Sequence, residues 1–303
     1  MRLAWLWGAV VVVTLLRAVA AARIPLTGDE AYYWEWSRHL ALGYVDHPPA
    51  VAYAIEAFAW FGKTPFAVRL PFVLCGLIAA IAAAAAAKRI ANDARAGAVT
   101  AAAIALTPML FIAFGIATPD GPYLAGWALA LYFAVRAFDD RAPHWFALLG
   151  AALGVTLLSR IFGVALLAGV IGFALAPRHR WAWRGRMWLA LAVCIAVIAP
   201  FLAWNAVNGW STFVFALLQR HAPHVQLTRP LVLHLLNALA YSPGLYVAAL
   251  VLAVRHRQPL VAWTALPLSI VLTLLAIREP VEVYWFFGPY VSLCVALGAA
   301  YAQ

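Results

Sequence analysis

Two adjacent carboxylates head a run of aromatics in Thr27-Gly28-Asp29-Glu30-Ala31-Tyr32-Tyr33-Trp34-Glu35-Trp36. A carboxylate in the open can take the proton of an attacking hydroxyl. Aromatic faces can stack on a sugar ring or line a lipid groove. The same residues have a plainer use. Thr27 can cap a helix that starts near Asp29, with Glu30 in the capping-box position three residues on, and acids favour a helix N-terminus. Tyr32, Tyr33, Trp34 and Trp36 also suit the membrane interface, where they anchor a helix lying in its plane. Both uses stay open at this point.

Five further stretches carry chemistry. Gly43-Tyr44-Val45-Asp46-His47-Pro48-Pro49 has a fixed proline turn. Its Asp46 can orient the imidazole of His47 or share a metal with it, but two ligands fall short of the three or four a site needs. Asp120 lies in the tight turn Thr118-Pro119-Asp120-Gly121-Pro122, where it can cap the next helix or join Asp29. Arg160, in Leu158-Ser159-Arg160-Ile161, can snorkel to headgroups or bind an anion. Arg220 follows Asn205-Ala206-Val207-Asn208-Gly209-Trp210, close to His221 and His224. Last comes Arg278-Glu279-Pro280-Val281-Glu282-Val283-Tyr284-Trp285.

The elements that must hold these residues are membrane helices. Of the 303 residues, 66% are hydrophobic and 11% charged. A soluble domain is about half apolar and a quarter charged, so an ordinary soluble enzyme and a disordered chain are both excluded. The net charge of +10 comes from short basic clusters between apolar runs, the pattern of cytoplasmic loops and not of a nucleic-acid surface. A span needs about 20 apolar residues. The chain predicts about ten spans, near 3–22, 66–87, 97–117, 121–138, 143–158, 161–177, 187–204, 231–253, 259–277 and 284–303. The first also has signal-peptide features, but its length and Arg17 favour a retained span. The whole chain reads as one transmembrane domain, with an outer loop over 23–65 that is too long for a plain connection. Cys75, Cys194 and Cys294 sit in separate apolar runs and read as buried thiols.

Placing the N-terminus in the cytoplasm puts twelve basic residues in tight inner loops, against eight outside. Eight of the eleven carboxylates then fall on the outer face: Asp29, Glu30, Glu35, Asp46, Glu56, Asp120, Glu279 and Glu282. Carboxylates to accept protons, arginines to hold phosphate by paired hydrogen bonds, and aromatics for sugar or isoprenoid fit a transferase with a lipid-phosphate donor.

In the same order, these motifs resemble the polytopic GT-C glycosyltransferases that use polyprenyl-phosphate sugars, a superfamily that includes protein O-mannosyltransferases and lipid A aminoarabinose transferases. The likeness is strongest to the compact bacterial members. It rests on Gly28 to Trp34, Gly43 to Pro49, Arg69-Leu70-Pro71, Thr118-Pro119-Asp120, Leu158-Ser159-Arg160, Trp204-Asn205 and the Glu282 to Trp285 turn followed by Pro289-Tyr290. It implies an all-α GT-C bundle with amphipathic helices in the first outer loop, in the inner membrane, with a periplasmic active site. Asp29 would be the catalytic base, Glu30 would position it or the acceptor, and Asp120 would be the second acidic position. Arg160, Arg220 and His47 would hold the donor phosphate. Tyr32, Tyr33, Trp34, Asp46, Glu282 and Trp285 would line the sugar or lipid site. The acceptor, whether lipid, polysaccharide or protein, is left open, and so is a divalent metal.

Two departures stand out. Tyr284 occupies a place where many relatives carry histidine, which weakens a metal or phosphate role there. The chain also ends where relatives commonly continue, so acceptor binding is the least supported part. Two other classes compete with the transferase. A transporter or flippase would show ionisable groups at mid-membrane or broken helices in paired halves, and only Arg17 hints at this. An inactive lipid-binding scaffold would make the acidic motif dispensable.

Overall fold

The computed structural model describes residues 3–216, 225–255 and 259–302. Among them every regular element is helical. Helix α1 is Leu3–Arg23. The segment that follows folds into α2 (Gly28–Arg38) and α3 (Ala50–Glu56), where short helices are expected, and a 3-10 turn, Ala59–Phe61. The long α4 (Pro65–Ala91) follows, then α5 (Ala94–Leu106), α6 (Pro108–Ala113), α7 (Asp120–Asp140), α8 (Pro143–Ser159) and α9 (Gly163–Leu175). A 3-10 stretch, Pro177–Arg184, leads to α10 (Arg186–Val207) and the short α11 (Ser211–Val214). The chain closes with α12 (Arg229–Tyr241), α13 (Pro243–Arg255), α14 (Pro259–Leu275), a 3-10 turn Val283–Phe286 and α15 (Phe287–Tyr301).

Sequence punctuation sets these limits. Thr64 caps α4 by accepting the Ala67 N–H, and Pro65 begins the helix, where a missing N–H costs nothing. Left-handed Asn92 ends α4 and left-handed Arg141 ends α7. Two expected spans are each divided by a proline. The 97–117 run breaks at Thr107-Pro108, and the 231–253 run breaks at Ser242-Pro243. Four helical stretches have the length and hydropathy of a span: Leu3–Arg23, Pro65–Ala91, Arg186–Val207 and Val283–Tyr301. Ala94–Leu106, Pro143–Ser159, Gly163–Leu175 and Pro259–Leu275 are apolar but shorter, so helix length alone does not fix the number at ten.

Helix α15 is buried along most of its length and packs on α4, α5, α7, α13 and α14. Lipid offers no hydrophobic drive for that packing, so close backbone approach supplies it. Gly150 and Gly154 show this on α8. Cβ atoms there would run into the Ala190 backbone and Val197 of α10. The outward face of α1 shows Trp5, Val11, Val12, Leu15 and Leu16, as a lipid-facing helix should. All three cysteines are free.

Arg17 is buried on α1 and accounts for the break between α5 and α6. Its guanidinium donates to the carbonyls of Ala105, Leu110 and Phe111, each at 3.3 Å, and lies against the Phe111 and Phe114 rings. A helix interrupted inside a bundle frees carbonyls that need donors, and Arg17 provides them. The feature that hinted at a transporter thus has a structural use.

Candidate active site

The N-terminus of α2 forms the expected capping box. Thr27 Oγ1 accepts the Glu30 N–H at 3.4 Å, and Glu30 Oε2 accepts the Thr27 N–H at 2.8 Å. Glu30 does much more than close that box. Its Oε1 takes Arg69 Nε at 2.6 Å and the Ala117 N–H at 2.9 Å, and its Oε2 takes Arg69 Nη2 at 2.6 Å. These bonds fill the roughly four acceptor positions of a carboxylate. Both side chains are buried. The other Arg69 hydrogens go to the carbonyls of Ala21, Ile24 and Pro25. One ion pair therefore joins the end of α1, the start of α2, the first turns of α4 and the connection into α7. Burial alone would raise the Glu30 pKa, but the Arg69, Thr27 and Ala117 donors together hold it below its ordinary 4.5.

Asp29, next in the chain, is exposed in the first turn of α2 and forms no hydrogen bond or ion pair with a described residue. Ala117 lies just before Thr118-Pro119-Asp120, so the Glu30 lock sets the Asp29 turn against the Asp120 turn. Asp120, at the start of α7, accepts a hydrogen bond from Arg160 Nη1. Arg160 is buried, with its guanidinium 5.1 Å from the centre of the Tyr284 ring and 5.9 Å from that of Phe162. The buried Tyr33 phenol ties the set together. Burial first pushes its pKa up, and Arg160, Asp46, Asp120 and Asp29 all act on it electrostatically.

A cavity of about 190 Å³ opens beside Arg160, with Asp46, His47, Phe162, Glu279 and Trp285 among its walls. Ile161 and Phe162 also belong to a second, almost wholly apolar cavity of about 380 Å³. Its other walls come from α8, α9, α10 and α11, including Leu157, Ile198 and Phe213. A charged head space thus adjoins an apolar groove.

The Gly43–Pro49 loop is seated on α10. A Cβ at Gly43 would press into the Trp204 ring and lie 3.0 Å from Phe201. Asn205, buried below, accepts the Thr212 N–H, and Thr212 Oγ1 donates to the Tyr44 carbonyl at 2.6 Å. Gly43-Tyr44 and Trp204-Asn205, two separate motifs of the sequence, therefore meet in direct contact. It places Asp46, which accepts from the Tyr32 hydroxyl at 3.1 Å, and His47 at the cavity.

Asp46, His47, Arg160 and Trp285 line this cavity; Tyr32 joins it through Asp46, Asp120 joins it through Arg160, and Asp29 lies on the turn that Glu30 ties to Ala117. Trp34 instead lines a small separate cavity with Ser37, Arg38 and Ile55. Glu282 is exposed and is not part of the cavity wall. Arg220, His221 and His224 lie outside the described residues. Trp36 stacks on Tyr44 at 3.9 Å, and with Tyr33 joins a small core with Val51, Ile55 and Phe72. Much of the aromatic run is therefore packing. Sequence reasoning assigned no role to Arg69, Glu279 or Tyr284. Arg69 had a signal, since it is charged in the first turns of an apolar span. Among the described residues no three His, Cys, Asp or Glu side chains converge as metal ligands, and no step below is routed through a metal.

The family described as dolichyl-phosphate-mannose-protein mannosyltransferase matches residues 46–204, just over half of the chain. The chain belongs to this family. The lipid A galacturonosyltransferase RgtD of Rhizobium johnstonii is 25% identical over 287 residues, covering 87% of this chain and 58% of that protein. The crystal structure of ArnT from Cupriavidus metallidurans bound to undecaprenyl phosphate superposes with a TM-score of 0.77 at 21% identity, covering 99% of this chain and 60% of that one. Its apo form gives 0.75 at 21% identity, over 98% and 59%. The chain thus spans about three fifths of the length of these relatives. The mannosyltransferase-family chain has the GT-C fold that its motifs imply, and it is a multi-pass membrane protein.

Proposed function

We propose that this protein is a glycosyltransferase that moves a sugar from a polyprenyl-phosphate carrier to an acceptor hydroxyl on the outer face of the inner membrane. The observation that carries this reading is the contrast between the two adjacent acids. Glu30 is saturated with donors, and its bond to the Ala117 N–H ties the turn to the stretch leading into the Asp120–Arg160 pair, while Asp29 is exposed and without a hydrogen-bond partner among the described residues.

In the reaction, the acceptor oxygen attacks the anomeric carbon as its proton passes to Asp29. The bond from that carbon to the phosphate oxygen breaks with inversion, and the polyprenyl phosphate leaves as an anion. A phosphate is a stable leaving group, so no strong protein acid is needed, unlike in glycoside hydrolysis. Arg160 gives Nη1 to Asp120 and keeps Nε and Nη2 for the departing phosphate, where preorganised charge counts most. His47, in the cavity wall, belongs to the same phosphate site. Asp46, Tyr32, Tyr33 and Trp285 face the sugar, and the apolar cavity beyond Phe162 takes the first isoprene units.

The RgtD likeness guides the choice of probes: polyprenyl-phosphate galacturonic acid as donor and lipid A as acceptor, beside mannose and aminoarabinose donors. The test is transfer or sugar release by the purified chain in lipid bilayers, with Asp29→Asn in parallel. General-base loss costs about 10²- to 10⁴-fold, and that drop is expected with donor binding retained. Equal rates in Asp29→Asn and wild type would refute the base assignment. Donor binding without turnover in the wild type would replace the enzyme with a carrier-binding scaffold.

A further inference from the structure

The end of the bundle opposite Asp29 holds a second polar cavity, of about 320 Å³, which sugar transfer does not use. It forms where α4, α7 and α9 end, where the Pro177–Arg184 stretch crosses, and where α14 begins. Arg89, Asp139, Arg178, His179, Phe138 and Phe173 are among its walls. Arg89 is already matched by Asp139 at 3.1 Å and Asp140 at 2.5 Å. Arg178 is not: it makes no ion pair or hydrogen bond with a described residue, and its guanidinium lies 5.8 Å from the centre of the Phe173 ring.

His179 is the more telling residue. Both ring nitrogens are shielded from solvent and neither has a hydrogen-bond partner among the described residues. The ring is clamped by Phe173 at 4.3 Å and set edge-on to Phe138 at 5.0 Å. Buried polar atoms nearly always have a partner, and this imidazole, which can donate from one nitrogen, sits beside the exposed Arg178 guanidinium, which has no ion pair among the described residues. Burial first, then the charges of Arg178 and Arg141, hold the His179 pKa below its ordinary value. An anion in the cavity would offset those charges.

We infer that this cavity binds a phosphate group through Arg178 and His179, and that the phosphate is the headgroup of an anionic membrane lipid. The site lies where α4, α7 and α9 end and α14 begins, and the ends of membrane helices meet the headgroups. Arg180, Arg184 and Arg186 follow within a few residues, and basic residues near an anionic surface add to its attraction. Leu260 and Val261 join the two phenylalanines in apolar walls that match the glycerol and first acyl carbons behind a phosphodiester. Inorganic phosphate would use the donors and leave those walls bare.

The test uses the full chain in phosphatidylcholine nanodiscs doped with phosphatidylglycerol carrying a photoreactive headgroup, and maps the labelled peptides by mass spectrometry. Label is expected on the 173–184 and 259–261 segments, chased by plain phosphatidylglycerol and not by added phosphatidylcholine. Arg178→Gln combined with His179→Gln should lower that label by at least about tenfold, since the charge-assisted contact from Arg178 is lost together with the one from His179. No label at those segments in the wild type, or equal chase by phosphatidylcholine, would overturn the site without recourse to any variant. Chase by inorganic phosphate as strong as by phosphatidylglycerol would overturn the lipid source and assign the site to free phosphate.

Discussion

Glu30 holds four donors on its two oxygens, and Asp29 holds none among the described residues. That difference divides their roles, and each half can be tested. Because the folded Glu30 carboxyl sits below its ordinary 4.5, the unfolded chain binds the proton more readily than the folded one. Its contribution is therefore complete above about pH 4.5 and is lost as pH falls through the lowered folded value. Glu30→Gln should cost about 3–5 kcal/mol at neutral pH, since it leaves Arg69 buried without its charge partner. It should also flatten the acid limb of thermal unfolding measured in detergent. A variant as stable and as acid-sensitive as wild type would remove Glu30 from the lock. Arg160→Lys keeps a charge for Asp120 but gives up the planar fork, so donor affinity should fall about tenfold with acceptor KM unchanged. Unaltered donor binding by calorimetry would take Arg160 out of the phosphate site. The capping box was legible in Thr27 and Glu30 because it is local. Arg69 and Ala117 were not, because they are 39 and 87 residues away from Glu30 and no short-range spacing encodes such a meeting.

The elements were more legible than their contacts. Apolar runs bounded by Thr64-Pro65, Asn92-Asp93 and Ala142-Pro143 became helices with nearly those limits. Thr107-Pro108 and Ser242-Pro243 also carried a break signal, but a continuous hydropathy masked it. Once α5 and α6 separate there, the Arg17 guanidinium has carbonyls to meet, so one unread proline also hid the purpose of one buried charge. The loop that positions Asp46 and His47 depends in the same way on a contact between distant elements. Gly43 lacks the Cβ that would overlap the Trp204 ring of α10. Gly43→Ala should cost roughly 1–3 kcal/mol through overpacking and lift the loop. Transfer should drop well below wild type while the helical circular dichroism stays the same. Normal transfer by Gly43→Ala would show that the loop is not held by that contact.

At the scale of the molecule, the two ends of the bundle differ in charge and in what their charges do. One end holds Asp29, the buried Glu30–Arg69 pair and the Asp120–Arg160 pair, with Asp46, Glu279 and Arg160 in the wall of a cavity that adjoins an apolar groove. The other joins Arg89 and Arg136 to Asp139 and Asp140 and adds the run from Arg178 to Arg186. Basic residues in short loops stay in the cytoplasm, so this asymmetry supports the proposed orientation, with the Asp29 end outside. Carrier-linked sugars would then reach Asp29 from the outer leaflet. The native thiols are buried or half-buried, so introduced cysteines can report the sidedness. Glu35→Cys, exposed on α2, should react with a membrane-impermeant maleimide in intact cells. Arg180→Cys, exposed at the basic end, should react only after the membrane is opened. The reverse pattern would place Asp29 in the cytoplasm, where its sugar donor would have to be held in the inner leaflet.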